Sequence, residues 1–142
     1  MNLSTLETPK ALPRLIFRLS GQIVPKARPR VTSSGTFMPE NYTLWKKYAI
    51  RSLSEQKLHH LIQYPINSCK IRIICKGIQH LNSDADNITG SIFDALVQSK
   101  VIKNDNLVTI KEFSFRYIQS NEKLKIVIEI TPIKSNDLYI RI

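Results

Sequence analysis

No apolar run in the chain approaches the roughly 20 residues a membrane-crossing helix needs. The opening stretch, MNLSTLETPKALPR, also lacks the continuous apolar core of a secretory signal. A cytoplasmic protein, with no membrane partner, is the expectation. Cysteine is scarce, with 2 among 142 residues. Cys69 and Cys75 sit on what reads as one strand, at a spacing that is neither CxxC nor a disulfide framework, and are expected to be reduced, packed thiols. Internal repeats and low-complexity tracts are absent, which excludes solenoids and compositional disorder. Negative charge is in short supply, with 11 Asp and Glu against 21 Lys and Arg and a net charge of +10. That imbalance points to a polyanionic partner such as nucleic acid or an anionic membrane surface.

What is present is enough for one core. A length of 142 residues with 42% hydrophobic and 23% charged side chains is that of one ordinary globular domain, taken here as 1–142. Residues 1–13 read as an arm. Leu15 to Val24 reads as a first strand, with Gly21 as a place to bend. In PKARPRVTSSGTFMPEN, Pro25, Pro29, Gly35 and Pro39 interrupt any regular element. Lys26, Arg28 and Arg30 recur at every second position, so an extended backbone projects them to one side, toward a phosphate backbone. A solvated linker is the other reading of this loop. Phe37, Tyr42 and Trp45 are candidates to stack on unpaired bases, although a tryptophan on a helix more often joins the core.

A helix is expected from Asn41, as N-cap, to about Gln63, with Leu44, Tyr48, Leu53, Leu58, Leu61 and Ile62 as its apolar stripe. Lys46, Lys47, Arg51 and Lys57 would form its basic outer face, and His59 and His60 its end. Ser68 to Ile78 alternates as a strand with Cys69, Ile71, Ile73 and Cys75 facing one way. A second helix is expected over Asn87 to Ser99, capped by Asp86 or Asn87. Leu107 to Tyr117 and Lys123 to Thr131 read as strands joined by a turn at Gln119 to Glu122, an antiparallel hairpin. Residues 133–142 have no assignment. The order β-α-β-α-β-β gives an α/β or α+β fold, a mixed sheet of about four strands with two packed helices.

The acidic residues are concentrated where the basic balance least explains them. Asp84, Asp86, Asp94 and Asp105 fall within Ser83–Asp105. If the backbone is extended, Asp84 and Asp86 share one side, and Asp105 would come from the neighbouring strand as a third carboxylate. Such a cluster repels itself unless a cation sits within it. Mg²⁺ takes oxygen ligands of this kind and completes its shell with water and phosphate, and a bound ion there would activate a water against a phosphodiester. Asp-x-Asp-Asn before a helix is also the ordinary composition of a turn and cap. The basic surroundings favour the metal reading.

At these residues the sequence resembles the RusA family of Holliday junction resolvases. Asp84-Ala85-Asp86-Asn87, Phe93-Asp94-Ala95-Leu96 and Asn104-Asp105 are similar to that family's signature without a gap. Pro25-Lys26-Ala27-Arg28-Pro29-Arg30 and Gly35 are similar to the segment after its first strand, so the likeness runs from about Gly21 to Tyr117. Gly90 stands where the family has a lysine, Lys100 where it has a glycine, and Asn104 where it has the first of two aspartates. The resemblance implies a homodimeric endonuclease, dependent on Mg²⁺ or Mn²⁺, that nicks four-way or other branched DNA symmetrically in recombination and repair, bound at the nucleoid. It implies Asp84, Asp86 and Asp105 as metal ligands and catalytic groups. Asn87, Asp94 and Asn104 would support them from behind, with Lys26, Arg28, Arg30, Lys46, Lys47, Lys100 and Lys103 on the DNA. Lys100, Lys103 or Lys26 is expected to replace the cation lost at Gly90, and Gly90→Lys to raise cleavage. The alternatives are a structured-DNA-binding protein of the same fold that does not cut, and a basic interaction domain whose aspartates are turn residues.

Overall fold

Alternation along Leu15–Ser20 puts Leu15, Phe17 and Leu19 in the interior and Arg18 and Ser20 outside, which makes strand β1. It stops at Gly21, where φ is +88, short of the expected Val24. The computed structural model describes residues 13–134. The expected arm before Pro13 and the tail after Lys134 therefore lie outside the described residues, as does the side chain of Arg30. The segment expected to hold no regular element forms a small antiparallel hairpin, β2 (Arg30–Thr32) with β3 (Gly35–Phe37). Its prolines fall outside the paired residues. The Thr32 hydroxyl closes the turn, accepting the Ser34 N–H at 3.2 Å and donating to the Gly35 carbonyl at 3.1 Å.

Helix α1 spans Glu40–Lys57, one residue earlier at its start and six shorter at its end than expected. Pro39 holds the cap position and its carbonyl takes the Thr43 N–H and hydroxyl, so Asn41 is inside the helix rather than its cap. The buried stripe is Tyr42, Trp45, Ala49 and Leu53. Leu44 and Tyr48 are largely exposed, and Leu58 and Leu61 lie beyond the helix and outside the core. Tyr48 instead serves the sheet edge: its hydroxyl takes the Ser20 N–H at 3.0 Å, while Gln56 brackets the Arg18 N–H and C=O at 2.8 and 2.6 Å. Helix α1 thereby satisfies backbone groups that an edge strand would leave open.

Strand β4 (Cys69–Ile78), helix α2 (Ala85–Gln98), strand β5 (Ile110–Lys123) and strand β6 (Lys125–Pro132) complete the chain. The sheet order is β1-β6-β4-β5, with β6 antiparallel to β1 and β4, and β5 parallel to β4. This is the mixed four-stranded sheet with two helices that the sequence pattern implies, but it contains no β5/β6 hairpin. The chain leaving β5 passes over the end of β4 and descends on its other side. Gly77 makes that crossing possible, because a Cβ there would lie 2.6 Å from Leu124 Cα. Register stacks Phe17, Ile128 and Ile73 across the sheet, and Ile71 with Ile130, all on the buried side. Ile88, Ile92, Ala95 and Leu96 of α2 close the same core. Arg72, Lys76 and Lys125 alternate onto the opposite, solvent side.

Candidate functional site

Helix α2 begins where β4 has run out. Asp84 is its N-cap, with extended backbone (φ −71, ψ 132), and Asp86 lies in its first turn. The two carboxylates are therefore brought together by a helix start rather than by the extended segment expected. Both are exposed, and each is favoured there by the positive end of the helix dipole. Asn87 ties them: its Nδ2 donates to Asp84 Oδ2 at 3.4 Å, and its backbone N–H to Asp86 Oδ1 at 3.0 Å. Among the described residues the second oxygen of each accepts no hydrogen bond. This leaves two oxygen donors facing solvent, which suits a hard divalent cation that keeps part of its water.

The segment after β1 is fastened onto this helix start. Gln79 brackets Ile23 through both its N–H and C=O at 2.8 Å. The Ser91 hydroxyl donates to the Val24 carbonyl at 2.6 Å, and the Lys26 N–H donates to the Asn87 carbonyl at 3.0 Å. Lys26 Nζ lies 3.3 Å from Asp94 Oδ1, whose other oxygen receives the Tyr42 hydroxyl at 2.6 Å. Burial and the adjacent carboxylate push the Tyr42 hydroxyl well above its ordinary pKa, so it stays a donor. The expectation that Tyr42 and Trp45 stack on bases is corrected here, since both are buried and only Phe37 is exposed. Of the basic side chains, Arg28 and Lys47 are exposed, and Lys46 lies over the Tyr42 ring at 5.4 Å.

Asp105 is elsewhere. The Ile66 N–H donates to the Val101 carbonyl and the Lys103 N–H to the Ile66 carbonyl, and Ile102 bridges to Ile66, all just before β4 begins. Asp105 is exposed there, its N–H on Asn104 Oδ1 at 2.8 Å. Because β5 is parallel to β4, its approach belongs to the start of β4, whereas Asp84 follows the end of β4. The 14 residues of α2 separate the two places, about 20 Å at 1.5 Å per residue. Among the described residues no three His, Cys, Asp or Glu side chains gather to hold a metal. One chain therefore brings Asp84 and Asp86 together, with Asn87 bonded to both and Asp94 about two turns further along α2, and leaves Asp105, Asn104, Lys100 and Lys103 at the far end of the helix.

The family model described as Endodeoxyribonuclease RusA matches residues 20–131. The chain belongs to the RusA family. It is 34% identical over 121 residues to the crossover junction endodeoxyribonuclease RusA of Aquifex aeolicus (strain VF5), which covers 82% of this chain and 90% of that protein. The match extends past the stretch from Gly21 to Tyr117 that carries the resemblance, and takes in β4, β5 and nearly all of β6 but only Ser20 of β1. Within this RusA-family chain, sequence reasoning missed the Gln79 clamp and the Tyr42–Asp94–Lys26 chain of contacts. Each joins residues tens of positions apart, and no local spacing signals them. Among the described residues no helix is long and apolar enough to cross a membrane.

Proposed function

We propose that this chain is a divalent-metal-dependent endonuclease that works as a homodimer on four-way or other branched DNA and resolves it by paired nicks. Family membership supports the nuclease reading. The observation that carries the rest is the separation of Asp105 from Asp84 and Asp86 along α2. A second copy related by a two-fold axis can place its Asp105 beside the first copy's α2 start and receive the same in return, since such an interface is reciprocal. Two equivalent sites follow, which is what two matched cuts in a two-fold substrate require.

In this reading Asp84 and Asp86 of one copy and Asp105 of the other hold Mg²⁺, with Mn²⁺ as the alternative ion. Bound there, the ion would supply charge for the phosphodiester and lower the pKa of an attacking water. The chain's own residues prepare the place. Asn87 fixes one oxygen of each carboxylate and Asn104 the backbone at Asp105. The helix start excludes no solvent, so DNA must close the site. Lys26 and Arg28 hold DNA from the segment after β1 and Lys46 and Lys47 from α1, and Lys100 and Lys103 hold it beside Asp105. The protein would act on DNA in the cytoplasm.

Complementation tests this. Asp86→Asn and Asp105→Asn dimers should each bind a synthetic four-way junction without cutting it in Mg²⁺. Mixed and re-annealed, they should recover nicking of one strand per junction, because the mixed dimer holds one wholly native site and one doubly altered site. If each site were built within one chain, the mixture would stay dead, and unchanged cleavage by Asp86→Asn would sink the nuclease assignment. Gly90 and Asn104 favour a second reading, binding without cutting. Native protein that shifts junctions but never nicks them in Mg²⁺ or Mn²⁺ would establish it.

A further inference from the structure

Gly90 lies one helical turn past Asp86, on the same face of α2. A Cβ built there would meet Lys26 Cδ at 3.3 Å and Lys26 Cβ at 3.6 Å. The aliphatic stem of Lys26 thus crosses the spot where a side chain at position 90 would leave the helix. Three contacts hold it on that line: the Lys26 N–H on the Asn87 carbonyl at 3.0 Å, the stem on Gly90, and Nζ at 3.3 Å from Asp94 Oδ1. Asn87, Gly90 and Asp94 follow one another along this face at helical spacing. Lys26 comes from a distant part of the chain and supplies a cation where the helix itself has none.

We propose that Lys26 is the phosphate-contacting cation of the α2 site, delivered across Gly90 from the segment after β1, with Asp94 as its resting partner until DNA arrives. This rests on the reading of the α2 start as the cleavage site. The lysine side chain is 48% exposed, so its pair with Asp94 is weakened by water and is readily exchanged for a phosphate oxygen. Asp94 keeps the Tyr42 hydroxyl at 2.6 Å when the lysine leaves, so its charge is not stranded. Lys100 and Lys103 stand at the far end of α2 and cannot reach the α2 start of their own chain. On this reading a lysine at position 90 adds a second ammonium beside one already supplied, and its Cβ would need the Lys26 stem to give by a few tenths of an ångström, so Gly90→Lys alone gains little cleavage.

The test compares native protein, Lys26→Met, Lys26→Ala and the transposed pair Lys26→Ala/Gly90→Lys on a four-way junction. Methionine retains a stem to cover Gly90 and removes the charge alone. Lys26→Met should cut about 100-fold more slowly in single turnover. Its metal-free junction binding should lose about 0.9 from the slope of log K against log salt for each lysine taken off a phosphate. The transposed pair should recover most of the rate that Lys26→Ala loses, which a merely structural lysine would not permit. Native-like cutting by Lys26→Met overturns the proposal, as does a lost rate that transposition does not restore with the salt slope unmoved. Native protein that never cuts removes the nuclease reading and this role together, whereas native protein that cuts as fast as Lys26→Met removes this role alone.

Discussion

At Lys100 the backbone is left-handed, with φ +61. The residue closes α2 in a complete Schellman arrangement, its own N–H on the Val97 carbonyl at 3.0 Å and the Val101 N–H on the Leu96 carbonyl at 3.0 Å. Glycine is the residue that takes this conformation without a Cβ penalty, which accounts for the glycine that the resemblance places at this position. Lys100→Gly should therefore raise stability, by about 1 kcal/mol, read as a higher urea midpoint at unchanged slope. A drop in the midpoint would mean that the lysine side chain makes a stabilising contact that outweighs the strain. Other single residues were harder to place from sequence. Tyr42 and Trp45 look alike as base-stacking aromatics, and both are core because α1 turns them inward together with Ala49 and Leu53. Leucines at 44 and 58 look like core and are exposed. Residue type alone gives the wrong face when the stripe is made of aromatics and alanine.

Among the elements, β4 and β6 were legible from alternation, since a period of two in Cys69–Cys75 and in Leu124–Ile130 assigns each side chain to a face. Helix α2 was legible from its apolar spacing, with its start displaced by two residues. The partner of β5 was not. A polar turn between two strands suggests a hairpin, but the chain at Glu122–Leu124 instead crosses β4 at Gly77, whose φ is +138. An alanine Cβ would sit 2.8 Å from the Glu122 carbonyl oxygen and 2.6 Å from Leu124 Cα, against backbone that cannot move without unpairing β6. Gly77→Ala should cost about 3 kcal/mol from strain and overpacking together, measured by urea unfolding. A cost below about 1 kcal/mol, the ordinary scale of a point substitution, would show that the crossing is looser than this.

For the molecule as a whole, buried neutral acids set an alkaline limit. Burial pushes the Cys69 thiol from 9.0 to about 11, the Cys75 thiol from 9.0 to about 12, and the Tyr64 hydroxyl from 10.0 to about 12. The folded state thus keeps protons that the unfolded chain releases. Below pH 9.0 these groups leave stability flat, and as pH rises from there through about 11 and 12 their protonated form is progressively lost and the fold with it. The urea midpoint should be constant between about pH 7 and pH 8.5 and fall steadily above about pH 9. A midpoint that held level to pH 10.5 would mean that these groups are more hydrated than their burial indicates.

The sequence by itself determined the class of fold, the face of most strand residues, the carboxylate pair before α2 and the family, because each is written in local spacing: a period of two, a helical period, or a motif of fixed separation. Only the tertiary structure decided which strand lies beside which, that Asp105 lies at the other end of α2 from Asp84 and Asp86, and that the Lys26 stem lies over Gly90. These depend on how segments tens of residues apart pack and cross. Side-chain periodicity records the face a residue takes and carries no record of its neighbour across the sheet.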